Sequence, residues 1–402
     1  MGFTAIIIAL VLGILCGIIT GITPGIHVNL VSLLVLSSST VLLQITSPVV
    51  LGVFIISLAI THTFLDALPS IYLGAPDEAQ ALNVLPGHRL LWNGEGHNAI
   101  TYTVIGALGS LLLGVMLFPF FIWGMKILQP YVQNIMGYLL SGVMLYMIGR
   151  EKGRRWKSLA AFLLAGCLGL LVFSIPHLKQ PLFPLLSGLF GFSLLVVSLQ
   201  QKAVIPPQDV NRPLTLERKH MVKAVSASTG MGFLAAFLPG FGSGQAAIVA
   251  QNIVGEIRDE GFLTLVGGIN TANMLISIAT AYALDKSRNG AILVVNQLLN
   301  GIGFKEMMLF IGVAIIVGGM AAILTLQLSK VFARWIVKVN YARLIYGIII
   351  FITVLTLYFD GIIGLIILGT ATAIGLVASS WGVGKNHLMG CLILPVILYF
   401  VL

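Results

Sequence analysis

The chain has 402 residues, of which 58% are hydrophobic and only 9% are charged, and its formal net charge at pH 7 is +9. This composition excludes a water-soluble globular fold, which exposes far more charged surface. The basic excess does not indicate nucleic-acid binding, because basic residues of membrane proteins collect in cytoplasmic loops. We therefore predict an all-α polytopic membrane protein with about ten to fourteen membrane segments.

Apolar segments follow one another along the whole chain. The first covers residues 2–20 and lacks the basic start of a signal peptide, so we interpret it as a retained span. A short turn near Gln129 and Pro130 is expected between the third and fourth segments. The remaining segments lie at 46–65, 100–128, 131–149, 158–176, 181–199, 223–238, 262–283, 304–330, 344–359, 361–379 and 387–402.

Basic stretches between the segments predict the orientation. Two spans separate "REKGRRWK" at 150–157 from the polar stretch 200–223, so both stretches lie on one side. The positive-inside rule makes that side the cytoplasm and places the N-terminus outside the cell membrane. The stretch 200–222 is predicted to be a cytoplasmic linker between two transmembrane repeats, residues 1–199 and 223–402.

Two pairs of similar segments indicate an internal repeat. "ITPGIHVNLVSLLV" (22–35) resembles "FLPGFGSGQAAIVA" (237–250), and residues 61–91 align without gaps to residues 269–299. In that alignment Thr63 matches Thr271. The charges of corresponding loops place them on opposite sides of the membrane, so we predict inverted repeats with broken or re-entrant helices, as in many secondary transporters.

Each half carries a Pro-Gly break inside an apolar segment. Irregular backbone at membrane depth needs protein or a watery cavity around it, and a helix that restarts there presents free N–H groups that attract anions. Kinked helices packed on glycines are the alternative interpretation. The predicted substrate-binding residues are Pro24, Gly25, His27, Asn29, Pro239, Gly240, Gly242, Ser243, Gly244, Gln245, Asn270, Thr271 and Asn273.

A carboxylate inside an apolar segment predicts coupling to an ion. His62 and Asp66 are four residues apart and share one helix face. A buried carboxylate in a membrane is unfavourable and is by default a functional hypothesis, with a proton or cation as its partner. A purely structural bond between the two side chains is the alternative. Met274 occupies the position that matches Asp66, so the predicted site is asymmetric.

Other polar residues do not form a catalytic or metal site. The stretch 87–98, with His88, Arg89 and His97, lacks metal-ligand spacing and is expected to be a solvated loop. The three cysteines lie singly in apolar segments, which excludes a disulfide framework. No nucleophile-base arrangement is visible. We therefore expect no enzyme activity, no metal and no cofactor.

The chain resembles the large membrane subunit of tripartite tricarboxylate transporters, particularly its shorter archaeal-type relatives. The matching residues are "GITPGIHVNL", "ALPSIYLGAPDEAQALNVLPGHRLLWNGEGHNAI" and "FLPGFGSGQAAIVAQNIVGE". In that family the first motif is usually Pro-Gly-Leu-Gly-Pro, where this chain has His27 and Val28. The resemblance implies two partners, a small membrane subunit and an extracytoplasmic binding protein.

These observations favour a permease that moves a small organic anion, coupled to a proton or cation. A polyprenyl-phosphate flippase is the alternative, because such translocases also combine inverted repeats with Pro-Gly re-entrant segments. A phosphate headgroup favours arginine in its site, and Arg89 and Arg288, the nearest candidates, are expected in loops. The sequence leaves assembly into a homo-oligomer open.

Overall fold

The computed structural model describes residues 2–24, 26–75, 78–151, 153–176, 178–200, 205–238, 241–255, 257–287, 289–338 and 341–401. These residues fold into a bundle of helices without a strand. Seven of their helices are long and apolar enough to cross a membrane, or eight if one bent pair is a single span. The chain is thus an all-α polytopic membrane protein, as predicted.

The part of the chain before the predicted linker contains helices α1 to α10. Two π-helical turns, at Pro69–Leu73 and Ser187–Phe192, and a 3-10 turn at Glu78–Asn83 connect some of them. Their bounds are α1 Phe3–Ile22, α2 Val28–Ser37, α3 Ser39–Ile45, α4 Pro48–Leu65, α5 Val84–Trp92, α6 Gly96–Met116, α7 Phe118–Arg150, α8 Arg155–Ser174, α9 Leu182–Leu186 and α10 Ser193–Gln200.

The part after it contains helices α11 to α17, with a 3-10 turn at Lys385–Met389 before the last one. Helix α16 is broken at Gly361, whose φ of 64° lies in the left-handed region that favours glycine. The bounds are α11 Arg218–Phe237, α12 Ser243–Val254, α13 Asp259–Leu284, α14 Gly290–Leu299, α15 Phe304–Ile336, α16 Tyr341–Ser380 and α17 Gly390–Val401.

Local sequence signals account for several helix starts. Helix α4 begins with Pro48 in its first turn, where a missing N–H is harmless, and the Ser47 side chain accepts a bond from the Val50 N–H. Helix α14 begins after Asn289, whose side chain accepts from the first N–H groups of the helix. Both are preferred N-cap residues, so the chain specifies these starts locally.

Helices α1 and α4 pack side by side and run in the same direction. Gly13 lies against Ser57 and Gly21 lies against Leu65, so the residue numbers rise together along the contact. Glycine lets the two backbones approach closely, which is how membrane helices associate. Helices α2 and α3, bent by 74° relative to each other, return the chain from the end of α1 to the start of α4.

Helices α11 and α13 repeat this relation in the second half. Gly268 lies against Ser228 and Gly232 lies against Ala272, so α11 and α13 are also parallel. Helix α12 alone returns the chain from the end of α11 to the start of α13. The Nζ atom of Lys223, near the start of α11, lies 2.5 Å from the Val254 carbonyl oxygen at the end of α12, which brings these two helix ends to one level.

The third helix of each half packs against the other half. Helix α6 runs parallel to α13, with Thr103 beside Gly267 and Gly114 beside Leu275. Helix α15 correspondingly packs on α4. Gly52 of α4 lies against Phe310 of α15. In the turn after α4, the Tyr72 hydroxyl donates to Ser329, which lies further along α15. These two helices are therefore parallel as well.

Helices α6 and α15 run in opposite directions, since Leu111 lies against Gly318 while His97 bonds Ser329. It follows that α1, α4 and α15 point one way and α6, α11 and α13 point the other. Each helix is therefore opposed to its counterpart in the other half, which is the relation expected of inverted repeats. The division at 200–222 stays a prediction.

One detail of the sequence prediction is corrected by the structure. No turn occurs at Gln129 and Pro130, since α7 continues through both residues. A helix in lipid tolerates the loss of the one backbone hydrogen bond that proline cannot donate. The break lies at Leu117 instead. Helix α11 begins at Arg218, inside the stretch for which the linker was predicted.

Candidate functional site

The first break forms a helix start that is capped by its own histidine. Helix α1 ends at Ile22 and α2 begins at Val28, with His27 as the N-cap residue in an extended conformation. Nδ1 of His27 accepts a hydrogen bond of 3.1 Å from the Asn29 N–H. A ring nitrogen accepts only through its lone pair, so this imidazole is neutral and carries its proton on Nε2.

The second break forms a helix start without such a cap. Helix α12 begins at Ser243 after Gly242, which has no side chain to satisfy the first N–H groups. Gln245, in the same turn, is buried, with 3% of its surface exposed, and within the described residues its Oε1 has no hydrogen-bond partner. Uncapped N–H groups and a buried amide therefore meet at this start.

Both helix starts line one cavity of about 1000 Å³. His27 and Asn29 contribute from the first break, and Gly242, Ser243 and Gln245 contribute from the second. A smaller cavity of about 140 Å³ adjoins it and shares the first break with it. The two partial positive charges of the helix starts thus act on the same cavity.

Helix α13 contacts both the end of α4 and the start of α12 through three polar side chains. Asn270 donates to Asp66 Oδ2 (2.6 Å), and Asn273 donates to Ser243 Oγ (3.3 Å). Between them Thr271 donates to Thr63 (3.1 Å), its match in the sequence alignment. Direct contact between matched residues is what a twofold relation between the halves requires near its axis.

Asp66 is buried, with 2% of its surface exposed, and amides hold both of its oxygens. Gln80 donates to Oδ1 (2.8 Å) and Asn270 donates to Oδ2. Asn83 in turn donates to the Gln80 side chain. The apolar stretch continues beyond Asp66 to Leu73, so the carboxyl group lies inside a candidate membrane span rather than at its end.

His62 lies one helical turn before Asp66 and faces the first break. Its Nδ1 is 3.1 Å from the Thr20 hydroxyl, and that hydroxyl donates to the Gly17 carbonyl. The Thr20 hydroxyl thus links the His62 ring to helix α1. The rings of His62 and His27 meet edge to face, with centroids 5.3 Å apart.

The charge of the cavity is unusual for an anion site. Among the described lining residues, Asp66 is the formally charged one at pH 7 when the histidines are neutral, and neither lysine nor arginine contributes. Helix starts and amides are the available donors. One wall is apolar and comes from the ends of α8 and α17, with Phe173, Val396, Tyr399 and Phe400.

The structure brings together most residues that the sequence predicted for the site. Pro24 lines the smaller cavity. Thr271 in α13 and Gly244 in α12 are buried, and neither lines the main cavity. Gly25, Pro239 and Gly240 lie outside the described residues. The predicted residues that line the main cavity are His27, Asn29, His62, Asp66, Gly242, Ser243, Gln245, Asn270 and Asn273.

Sequence reasoning missed three residues of this region. Gln80 and Asn83 hold Asp66 in place. The sequence feature that could have identified them is a pair of amide side chains in the largely apolar stretch that follows Asp66. Gly290 is the third: it lines the cavity, and a side chain there would strike the Asn29 side chain. A glycine that follows the helix-capping Asn289 was the available signal.

The stretch 87–98 is not the solvated loop that was expected. His88 lies in α5 and His97 in α6, and both side chains are buried. Arg89 lies in helix α5 rather than a loop, exposed and paired with Asp259. Arg288 lies outside the described residues. No group of metal-ligating side chains is found in the described part of the chain.

Comparisons with known proteins identify relatives. The family model of the tripartite tricarboxylate transporter TctA family matches residues 7–390. An uncharacterized protein of Methanocaldococcus jannaschii is 30% identical over 356 residues, which cover 86% of this chain and 88% of that protein. No solved structure matches the chain.

Proposed function

Because the chain belongs to the tripartite tricarboxylate transporter TctA family, we propose that it is a permease whose cavity binds a small organic anion with carboxylate groups. The family makes it a component of a tricarboxylate-type transporter and a multi-pass membrane protein. The anion and its coupling ion are the subject of the proposal.

The observation that carries the proposal is the convergence of two helix starts on one cavity. A helix N-terminus stabilises a negative charge by about 0.3–1 kcal/mol at an exposed site and by up to ~2 kcal/mol when partly buried. Ser243 and Gln245 add side-chain donors at the second start, and Asn273 fixes the Ser243 hydroxyl. Backbone and amide donors together suit carboxylate oxygens without a buried arginine.

Asp66 is the proposed coupling residue. A carboxylate beside an anion site is unfavourable unless a cation joins them, since two buried negative charges repel each other. A proton or metal cation at Asp66 removes that repulsion, so the anion and the cation bind best together. His62, one turn away on α4, is the second residue proposed for this coupling.

Two partners are proposed because the family is tripartite. They are a small membrane subunit and an extracytoplasmic binding protein that delivers the anion. The proposed location is the cell membrane, with the N-terminus outside. The basic loop at 150–157 then lies in the cytoplasm, as the positive-inside rule predicts.

The test is anion accumulation in proteoliposomes that contain the purified protein. Citrate and succinate are offered with a proton or sodium gradient. Asp66→Asn is expected to abolish gradient-driven accumulation while exchange across the membrane continues. Asp285→Asn is the matched control, because this exposed aspartate follows the end of α13 and accepts a hydrogen bond from Asn296 of α14, away from the cavity. Full accumulation by Asp66→Asn contradicts the coupling role.

A lipid-carrier flippase is the second candidate, and the apolar wall of α8 and α17 favours it. A prenyl chain could pack on that wall while the phosphate occupies the helix starts. Transbilayer movement of a fluorescent polyprenyl phosphate in the same vesicles tests this. Lipid movement without citrate or succinate transport makes the flippase the function and overturns the carboxylate permease.

A further inference from the structure

We propose that His27 takes up a proton when the anion binds, and that this proton releases the Asn29 N–H from the cap toward the cavity. The inference rests on the proposed function, since it names a proton site for the anion whose binding is proposed there. His27 is separate from Asp66, which serves the coupling ion.

The geometry makes the cap bond and protonation mutually exclusive. The Nδ1 lone pair of His27 accepts the Asn29 N–H at 3.1 Å. When a proton from the aqueous phase bonds to that lone pair, the cap bond breaks and both ring nitrogens become donors. When the proton leaves, the lone pair accepts the Asn29 N–H again.

Protonation changes the site in two ways that both favour an anion. The imidazole gains a positive charge, which balances the negative charge of Asp66 within the cavity lining. The start of α2 also gains a free N–H that points where an anion can accept from it. Linkage then requires that the bound anion raises proton affinity by the same factor.

The groups around His27 support this role. From α4, His62 and Asp66 face it, and the His62 ring lies 5.3 Å from the His27 ring. Helix α14 contributes the uncharged Asn289 and Gly290, and α17 contributes Tyr399 to the same cavity. Among the described residues of these elements, Asp66 is the one with a formal negative charge, and this charge attracts the proton that the imidazole receives.

The second break provides an internal reference for the first. Gly242 caps α12 without a side chain, so its donors do not change with pH. Gln245 lines the cavity there with a buried amide oxygen that has no partner within the described residues. One helix start is thus constant, while protonation controls the other.

The experiment measures proton uptake during citrate binding. Isothermal titration calorimetry of the full chain is run in two buffers of different ionisation enthalpy, at several values between about pH 5.5 and about pH 8. His27→Asn is the decisive variant, because asparagine still caps a helix but cannot take up a proton. His220→Asn, an exposed histidine at the start of α11, is the control. Citrate's own protonation cancels between variants.

The wild type is expected to take up more protons per citrate than His27→Asn, up to about one, at those pH values where the free imidazole is neutral and the bound one is protonated. As the pH rises, the citrate affinity of the wild type should fall by up to about tenfold per pH unit relative to that of the variant. Equal proton uptake by the two overturns the inference and leaves the permease proposal standing. Loss of citrate binding at every pH in both His27→Asn and His27→Ser also overturns the inference. A wild type that binds neither citrate nor succinate overturns both proposals.

Discussion

The two helix starts occupy matched places in the two halves, yet their chemistry differs. At α2 the side chain of His27 accepts from one of the first N–H groups, whereas at α12 Gly242 has no side chain that could accept from them. The same asymmetry is found in the neighbouring helices, where Asp66 in the first half matches Met274 in the second. Repetition of the fold therefore supplies two anion-attracting helix starts, and substitution makes one of them sensitive to protons.

The uncapped start allows the largest expected effect. Gly242 has φ −83° and ψ 179°, an extended conformation that any residue adopts. In Gly242→Asp the new carboxylate would cap α12 and place a negative charge where the anion binds. We expect citrate affinity to fall more than about a hundredfold, while the helix itself stays as stable as before, since aspartate is a preferred N-cap.

Gly242→Ser is the control for this change, because it adds a neutral cap of similar position. Its affinity loss should be smaller, since only the competition for N–H groups remains. Citrate titration and thermal unfolding of both variants give the comparison. Equal losses in the two variants would mean that crowding, not charge, decides binding at this start.

Much of this site could be predicted from the sequence, because polar residues inside apolar segments are conspicuous. Pro-Gly followed by His27 and Asn29 located the first start, and the isolated Asp66 located the carboxylate. What the sequence did not show is which atoms pair. The cap at His27 depends on the backbone angles of that residue, and the Gln80 amide reaches Asp66 only because a 3-10 turn folds the chain back.

The helix pattern was predictable to a similar depth. Apolar segments gave the positions of the spans, but they did not reveal that α7 passes through Pro130 without a turn. A proline removes one hydrogen bond, and in lipid the rest of the helix still satisfies its backbone. The sequence therefore shows where a break is tolerated, whereas packing decides where one occurs.

A second prediction tests whether the two halves pack alike. A side chain on Gly17 would strike Thr61, and one on Gly232 would strike Ala272, at the corresponding contacts α1–α4 and α11–α13. Gly17→Val and Gly232→Val should each destabilise the protein by about 1–3 kcal/mol, as overpacking does. Gly319→Val is the control, since nothing lies within 4 Å of that position.

Thermal unfolding in detergent measures these three variants. Comparable losses in Gly17→Val and Gly232→Val support equivalent packing in the two halves. A loss confined to one of them would show that only one half depends on close helix approach, and it would weaken the comparison of the two helix starts.

A third prediction separates binding from stability at low pH. His88 lies outside the candidate spans, and its burial, together with the nearby Lys385 cation, lowers its pKa from 6.5 to about 4. The unfolded chain then binds this proton more readily, so stability is present above pH 6.5 and falls as the pH drops toward 4. His88→Phe should flatten the dependence of the melting temperature over this range.

The His88 variant also protects the pH test of His27. Citrate affinity in His88→Phe should keep the wild-type pH dependence, because His88 does not line the cavity. His220→Asn should change neither quantity. If His88→Phe removed the pH dependence of binding, the proton effect would come from stability rather than from the capped helix start.

The smallest expected effect concerns the contact between the halves. Thr63 and Thr271 are matched residues that bond each other at 3.1 Å, and both are buried. Valine has the same shape without the hydroxyl. Hydrogen bonds between membrane helices contribute about 0.6 kcal/mol on average, so Thr63→Val and Thr271→Val should each destabilise the protein by about that amount. The double variant should lose little more than either single one, because both changes remove the bond between the two hydroxyls, while the Ile60 carbonyl that accepts from Thr63 keeps its place in the helix. Additive losses measured by thermal unfolding would show that the two hydroxyls do not stabilise the protein through one shared bond, and would contradict the prediction.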